Sequence, residues 1–336
     1  MFADLNQTNC SSCTCSAGNR IFRVSFMITL ILAILLGNSV ILAVFLGTKQ
    51  LRTPQGYLKA SLAVADLALG ILVVPYSVYG EMTLLFTNSS SPQGASEVLT
   101  VGSWHPCYLV GPVFAGCTLV SISTIFLLTL ERSIAILKPL HKESVITRRR
   151  TLLLILLSWV SSFFLAMSPI IFSNGGIVVE YNHCSRMCNY ALAPASPSNV
   201  WQILLLFPAF DFSLLGGTLI INTLSLTTIH QYTRRRKLLS RADQENLSFS
   251  DIKAAKTIGT LTIAFTASFT PIAVFVVGDV LGYKWCTFSF FAFWILTSNS
   301  CCNVLIYSVC DQRFREGARQ LYVTLRSWCC CRSSSR

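Results

Sequence analysis

Apolar residues in this chain gather into seven long blocks, which are separated by shorter polar segments. The blocks are continuous rather than alternating, which favours helices over barrel strands. A helix needs roughly 20 apolar residues to cross a bilayer, and helices satisfy all their backbone polar groups within lipid. We therefore predict an all-α membrane protein with seven spanning helices. The helices are expected near residues 21–47, 57–85, 106–137, 151–174, 199–230, 254–282 and 287–310.

Composition supports a membrane protein. Of the 336 residues, 53% are hydrophobic and 12% are charged, whereas soluble domains carry about 25% charged residues. The net charge of +12 does not indicate nucleic-acid binding, because most of the 26 Lys and Arg residues, among them Lys49, Arg52 and Lys59, are assigned to alternate loops and the C-terminal tail. The positive-inside rule places these segments in the cytoplasm and the N-terminus outside. No cleavable signal peptide is expected.

The chain reads as one domain without internal repeats. We assign residues 1–20 to an extracellular N-terminus, 21–310 to the seven-helix domain and 311–336 to a cytoplasmic tail. Apolar residues recur at helical spacing between arginines in the tail, which predicts a short amphipathic helix on the membrane lipid. Three juxtamembrane cysteines follow it and are either palmitoylated or reduced. These candidates are Cys329, Cys330 and Cys331.

Features of the predicted outer face agree with this orientation. Cys107 lies at the outer end of the third block, and a disulfide from it to Cys184 or Cys188 would pin the loop 175–198 over the bundle; the sequence leaves both pairings open. Three N-terminal cysteines have a spacing that could suit zinc, although an exterior location favours disulfides or free thiols. These are Cys10, Cys13 and Cys15. Candidate glycosylation sites are Asn6, Asn9 and Asn88.

Ionisable groups inside spanning helices are rare and usually functional. Asp66 lies midway along the second block and is expected to join a polar cluster. Its oxygen ligands suit a hard cation such as sodium, while a hydrogen-bonded network with water fits the spacing equally well. The expected partners are Asn38, Ser121, Asn299, Ser300 and Asn303.

Glu131 and Arg132 form a charged pair at the end of the third block. They lie 25 residues beyond Cys107, or roughly 37 Å along a helix, so they mark the cytoplasmic mouth. Asp251 opens the sixth block at the same level. The three side chains suggest a latch between two helices; the alternative is a charge that reaches interfacial water.

The order of these motifs resembles the rhodopsin-type (class A) G-protein-coupled receptors, from about residue 25 to residue 331. The resemblance rests on GNSVIL, LAVADL, Cys107, LERSI, Trp159, FTASFTP and NVLIY. It implies a plasma-membrane receptor, rather than an enzyme, that couples to a heterotrimeric G protein. It also implies an allosteric sodium ion at Asp66, Ser121, Asn299, Ser300 and Asn303.

The same resemblance implies an activation switch. Glu131 and Asp251 would hold Arg132 at rest, and Tyr307 would swing inward when the sixth helix moves outward. The remaining switch residues are Phe269, Pro271 and Asn303.

Several positions depart from the family pattern. Ser133 replaces a Tyr, Phe269 replaces a Trp, and Val304 replaces a Pro that normally kinks the seventh helix. Leu214 and Asn222 replace a Pro and a Tyr in the fifth helix. These changes leave a second interpretation open, namely a constitutively active or partner-modulating receptor without a natural agonist.

The ligand site also departs from the amine receptors of the family, because Phe114 occupies the position of their third-helix Asp. An aromatic cavity favours an apolar small molecule or lipid, unless the rings only pack on one another. Asp211 would either anchor a cationic ligand from the opposite wall or pair with a polar neighbour; Glu81 and Asp279 are expected to be solvated. The candidate ligand residues are Phe114, Ala115, Thr118, Asp211, Phe269, Phe293, Trp294 and Thr297.

Two other function classes find little support. A channel or transporter needs a continuous polar path or broken helices, whereas the polar residues here form a local cluster that does not continue along the predicted helices. An enzyme needs a nucleophile and a base, and the four histidines lie at helix ends or in loops without paired spacing.

Overall fold

A computed structural model describes residues 17–86, 106–137, 145–193, 200–238, 249–283 and 285–333. Within these ranges, seven helices are long and apolar enough to cross a membrane, which confirms the predicted fold. The sequon residues Asn6, Asn9 and Asn88 lie outside the described residues, as do Cys10, Cys13 and Cys15.

Eight long helices and one hairpin make up the described fold. α2 has two segments joined by a π-helical turn at Leu69–Val73, and the strands β1 and β2 pair antiparallel between α4 and α5. The bounds are α1 Ala17–Gly47, α2 Pro54–Ala68 and Val74–Phe86, α3 Cys107–Leu137, α4 Arg148–Phe172, β1 Ile177–Asn182, β2 Met187–Leu192, α5 Leu206–Leu238, α6 Phe249–Val280, α7 Cys286–Cys310 and α8 Gln312–Ser333.

Helix starts follow local sequence signals. Thr53 accepts a hydrogen bond from the Gly56 amide at 3.2 Å, and Pro54 occupies the first helical position, where its missing N–H is not needed. Thr147 caps α4 through the Arg150 amide at 3.4 Å. The predicted fifth block, in contrast, splits into a separate turn at Trp201–Leu204 and α5.

α3 forms the centre of the bundle. In its most apolar 18-residue window, 78% of the residues are buried, compared with 22% in α4. Leucines such as Leu154, Leu156 and Leu157 on α4 are exposed, because they face the space that lipid fills. A polar side chain on α3 is therefore surrounded by protein and must find its partners there.

The two ends of the bundle differ, and we call them the hairpin end and the α8 end. At the hairpin end, disulfides join Cys107 to Cys188 and Cys184 to Cys286. The first bond decides between the two pairings that the sequence allowed. The second was not predicted, because Cys286 lies far from the hairpin in sequence and nothing local marks it as a partner.

At the α8 end, the chain turns sharply from α7 into the predicted amphipathic helix. Asp311 caps α8 by accepting a hydrogen bond from the Phe314 amide at 3.2 Å, and Arg315 donates to the Val309 carbonyl at 2.7 Å. Phe314 is 3% exposed and packs between helices, whereas Tyr322 is 65% exposed. Cys329, Cys330 and Cys331 lie in the last turns of α8, and their side chains lie outside the described residues.

Candidate functional site

Arg132 lies buried at the α8 end of α3, with 4% of its surface exposed. Its Nε atom lies 3.0 Å from a Glu131 carboxylate oxygen. Its guanidinium also donates a hydrogen bond to the amide oxygen of Gln55 in α2. Glu131 and Gln55 therefore help to hold the charge within the bundle instead of letting it reach interfacial water.

Gln55 is a restraint that sequence reasoning missed. It is buried near the start of α2, 77 positions from Arg132, and no local motif marks it. The predicted third partner, the Asp251 side chain in α6, lies outside the described residues, so the proposed latch from α3 to α6 stays a prediction.

A second buried cation lies one turn along α2 from Gln55. Lys59, which the sequence analysis assigned to a cytoplasmic loop, is only 2% exposed and forms an ion pair with Asp311. That assignment was wrong, because α2 begins at Pro54 and its first turns pack inside the bundle. The Lys59 ammonium lies 4.8 Å from the Tyr307 ring centroid and 5.2 Å from that of Phe45, within cation–π range.

We refer to Lys59, Asp311 and Tyr307 as the inner clamp. Burial acts to raise the pKa of Asp311, but the Lys59 charge outweighs it and holds that pKa below its ordinary value. Tyr307 is fully buried, and its hydroxyl has no hydrogen-bond partner in the described part of the chain. The Lys59 ammonium therefore holds the ring of Tyr307, the predicted switch tyrosine, while the Tyr307 hydroxyl makes no hydrogen bond to the described residues.

The polar cluster around Asp66 lies midway along the bundle. Asn303 donates to the Asp66 carboxylate at 2.7 Å. Asn38 donates to the Ser300 carbonyl at 2.9 Å, which ties α1 to α7. The Ser121 hydroxyl donates to the Cys117 carbonyl of its own helix at 2.9 Å, and Asn299 is buried. Among the described residues, Asn303 thus supplies the direct hydrogen bond to Asp66, while Ser300 takes part through its backbone carbonyl.

A cavity of about 410 Å³ opens toward the hairpin end, between α3, α5, α6, α7 and the hairpin. It lies in the size range of small-molecule sites. Phe114 and Phe293 meet with ring centroids 5.7 Å apart, so these rings pack on each other and still face the cavity. Six of the eight candidate ligand residues line it: Phe114, Ala115, Thr118, Asp211, Phe269 and Phe293.

The remaining two candidates, Trp294 and Thr297, are not among the described residues that line this cavity. The Trp294 indole turns away from it, because its N–H donates to the Ser185 carbonyl of the hairpin at 3.0 Å. Thr297 lies one helical turn deeper than Phe293 and donates to that residue's carbonyl at 2.8 Å.

The hairpin is wedged into the mouth of the bundle. Arg186, in the turn between its strands, lies 2.8 Å from Glu81 of α2, and Glu81 is fully buried. The expectation that Glu81 is solvated was therefore wrong, because an arginine that is distant in sequence covers it; Asp279 is exposed as expected. Burial, and then the Arg186 charge, lower the pKa of His183 in the same turn.

Three of the residues that depart from the family pattern make specific packing contacts. Phe269 stacks on Phe265, with centroids 6.1 Å apart and planes within 11°. Asn222 of α5 donates to the Thr262 hydroxyl of α6 at 3.0 Å. Val304 of α7 lies against Gly37 of α1. A Cβ atom at position 37 would come within 2.9 Å of the valine side chain, so this close contact between α1 and α7 requires a glycine. Pro271 lies inside the continuous helix α6.

Comparison with known proteins gives concordant matches. A model of the seven-transmembrane receptors (rhodopsin family) matches residues 37–307. The RYamide receptor of Drosophila melanogaster is 28% identical over 314 residues, which cover 89% of this chain and 63% of that protein. Lysophosphatidic acid receptor 3 of Mus musculus is 26% identical over 309 residues, covering 89% and 76%. Trace amine-associated receptor 9 of Homo sapiens is 28% identical over 298 residues, covering 84% and 79%.

This chain thus spans less than two thirds of the length of the Drosophila receptor. The family match extends from Gly37 in α1 to Tyr307 in α7, and so includes the Arg132 site, the Asp66 cluster and the cavity. With seven spanning helices and a match over most of its length, the chain belongs to the rhodopsin family of seven-transmembrane receptors.

Proposed function

We propose that this protein is a plasma-membrane receptor that transmits the binding of a largely apolar small molecule or lipid to a heterotrimeric G protein. The observation that carries the proposal is the buried Arg132, restrained by Glu131 and Gln55 at the α8 end of a rhodopsin-family bundle. A buried arginine held by two polar neighbours can be released when the helices repack. The inner clamp is a second restraint of this kind, on Tyr307.

The orientation follows from chemistry at the two ends. Disulfides form in oxidising compartments, which favours an extracellular hairpin end and N-terminus. The basic run 148–150 opens α4 at the opposite end, where the positive-inside rule expects it. The G protein would therefore bind at the α8 end.

The mechanism is a shift between two packings of the bundle. A ligand in the cavity favours the active packing only as far as it binds that packing more tightly. The relatives are named for RYamide, lysophosphatidic acid and trace amines, so their names support a receptor without choosing a ligand. The aromatic lining supports a largely apolar one, and Phe114 at the position of the amine-binding acid argues against classical amine recognition.

The test is basal nucleotide exchange by G proteins in membranes that carry equal amounts of each receptor variant. Gln55→Ala removes a hydrogen bond to a charged group, worth about 1.5–3 kcal/mol, so we expect basal exchange to rise by about tenfold. Asp251→Ala should also raise basal exchange, because it removes the predicted third partner of Arg132.

Gln202→Ala is the matched control, because Gln202 is exposed at the hairpin end, away from the proposed G-protein surface, and it should leave exchange unchanged. Basal exchange that stays at the wild-type level in both Gln55→Ala and Asp251→Ala would contradict the restraint. High exchange in the wild type, without any ligand, would instead support the constitutive alternative, which the departures from the family pattern, such as Val304 in place of the α7 proline, leave open.

Sodium binding at Asp66, Ser121, Asn299, Ser300 and Asn303 is part of this proposal. Replacing choline with sodium at constant ionic strength should raise the thermal stability of the wild type, since a ligand of the folded state stabilises it. Asp66→Asn should abolish that difference. A sodium effect of unchanged size in Asp66→Asn would place the ion elsewhere.

A further inference from the structure

We propose that the ligand carries one cationic group, an alkylammonium or a guanidinium, that sits against the Asp211 carboxylate. The inference deepens the proposed function and rests on it, since it takes the cavity as the ligand site. The rest of the ligand is apolar or aromatic. Its recognition thus comes from the α5 wall, opposite Phe114 of α3.

The first argument is an unsatisfied carboxylate. Asp211 is 4% exposed and lines the cavity, and its Oδ1 atom is buried without a hydrogen-bond partner among the described residues. The sequence had left open that a polar neighbour pairs with Asp211, and the described residues supply no such partner for the Oδ1 atom. Burying a carboxylate without a partner is unfavourable, and a ligand cation would relieve that penalty.

Other buried or half-buried carboxylates in the described fold have a cation or an amide close by. Glu81 has Arg186 at 2.8 Å, Glu131 has Arg132 at 3.0 Å, and Asp66 has the Asn303 amide at 2.7 Å. Asp311 pairs with Lys59. Each of these four has a cation or an amide supplied by the fold, whereas the described residues place none against the Asp211 Oδ1 atom, and Asp211 is the one of the five that borders the cavity.

The charge of the cavity wall is the second argument. Among the described residues that line it, the charged ones are Glu180, Asp211 and Asp279, and all three are acidic. Glu180 and Asp279 are exposed, whereas Asp211 is buried. A cleft lined by one sign of charge attracts the opposite sign, so cations are drawn in at the rim and bound at the buried acid.

The aromatic lining is compatible with the same ligand. Phe114, Phe269 and Phe293 are buried rings that border the cavity together with Asp211. Ring faces attract cations and also accept apolar groups. A molecule with one cation and an apolar body would therefore match the acid and the rings at once.

The test uses the purified full chain in detergent with two probes of similar shape, 4-phenylbutylamine and 4-phenylbutan-1-ol. Affinities are obtained from the rise of the melting temperature with probe concentration. We expect the wild type to bind the amine more tightly than the alcohol. Asp211→Asn should weaken amine binding by about 30-fold or more, because it removes one partner of a buried charge pair, and should leave alcohol binding unchanged.

Glu180→Gln and Asp279→Asn are the matched controls, since each neutralises an exposed acid on the same cavity. They should weaken amine binding by about threefold or less, as exposed ion pairs contribute little. If Asp211→Asn does not fold, Asp211→Glu replaces it and should retain the preference for the amine.

Equal wild-type affinity for the two probes overturns the inference, as does amine binding that survives Asp211→Asn. Failure of phenylalkylamines with chains of two to six carbons to bind the wild type also overturns it. Nucleotide exchange measured on the same preparations separates this outcome from the proposed function. If the receptor promotes nucleotide exchange but does not bind the amine, only the inference about the ligand fails. If it binds the amine but does not promote exchange, the inference is supported and G-protein coupling is contradicted.

Discussion

The two ends of this bundle are fastened by different chemistry. At the hairpin end, two disulfides tie the hairpin to α3 and α7, and the Glu81–Arg186 ion pair lies beneath it. At the α8 end, the described contacts are noncovalent: the Arg132 contacts with Glu131 and Gln55, and the inner clamp. One end is therefore fixed for as long as its disulfides stay oxidised, while the other can exchange partners.

This difference fits the division of labour expected of a receptor. A fixed hairpin keeps the cavity in shape, and preorganisation lowers the entropy lost when a ligand binds. An end that must repack needs contacts that are strong in one arrangement and replaceable in another, as buried ion pairs and hydrogen bonds are. Variants that break one end should therefore affect signalling and stability differently from variants that break the other.

The largest expected effect is at the inner clamp. Lys59→Met leaves the half-buried Asp311 without its cation, and breaking a buried pair in this way costs about 3–5 kcal/mol. We expect a marked drop in melting temperature and a rise in basal nucleotide exchange, because Tyr307 loses the cation that lies against its ring. Lys49→Met, at an exposed lysine, is the control.

The double variant Lys59→Met/Asp311→Asn sharpens this prediction. Asn can still cap α8 at Phe314, and no uncompensated charge remains, so most of the lost stability should return. A double variant as unstable as Lys59→Met would show that the loss comes from packing around Tyr307 rather than from the ion pair.

An intermediate effect is expected at the hairpin end. Replacing Cys184 and Cys286 by Ser removes a crosslink between positions 102 residues apart, and native disulfides contribute about 2–4 kcal/mol. Thermal stability and probe binding in the cavity should fall, whereas basal exchange should change little. Cys310→Ser, at a free cysteine, is the control. If the Cys184 and Cys286 replacement raised basal exchange as much as Lys59→Met, the two ends of the bundle would not differ in their effect on signalling.

The smallest effect concerns pH at the hairpin. Because the folded chain lowers the pKa of His183, the unfolded chain takes up a proton first, near its ordinary value of about 6.5. Stability should be full above that pH and fall as the pH decreases toward the folded pKa, by at most tenfold in the folding equilibrium per pH unit. Melting curves between pH 7.5 and 5.5 should be flatter for His183→Gln; an equal slope would assign the effect to another group.

Much of the candidate site could be predicted from short motifs. Asp66, Arg132 and Tyr307 lie in local patterns, and the structure places Asn303 beside Asp66 as expected. Gln55 and the partner of Lys59 could not be predicted in this way. Lys59 follows a polar segment, as a loop residue would, and only the packing of α2 against α1 and α7 shows that it is buried.

The sequence alone determined the number of spanning helices and the family, because block length and motif order are local properties that lipid and the backbone constrain strongly. Tertiary structure decided which charges are satisfied. Cys184 meets Cys286, Glu81 meets Arg186, Lys59 meets Asp311, and the Asp211 Oδ1 atom meets no partner in the described part of the chain. These outcomes depend on contacts between residues about a hundred or more positions apart, which helix packing brings together and no local pattern encodes.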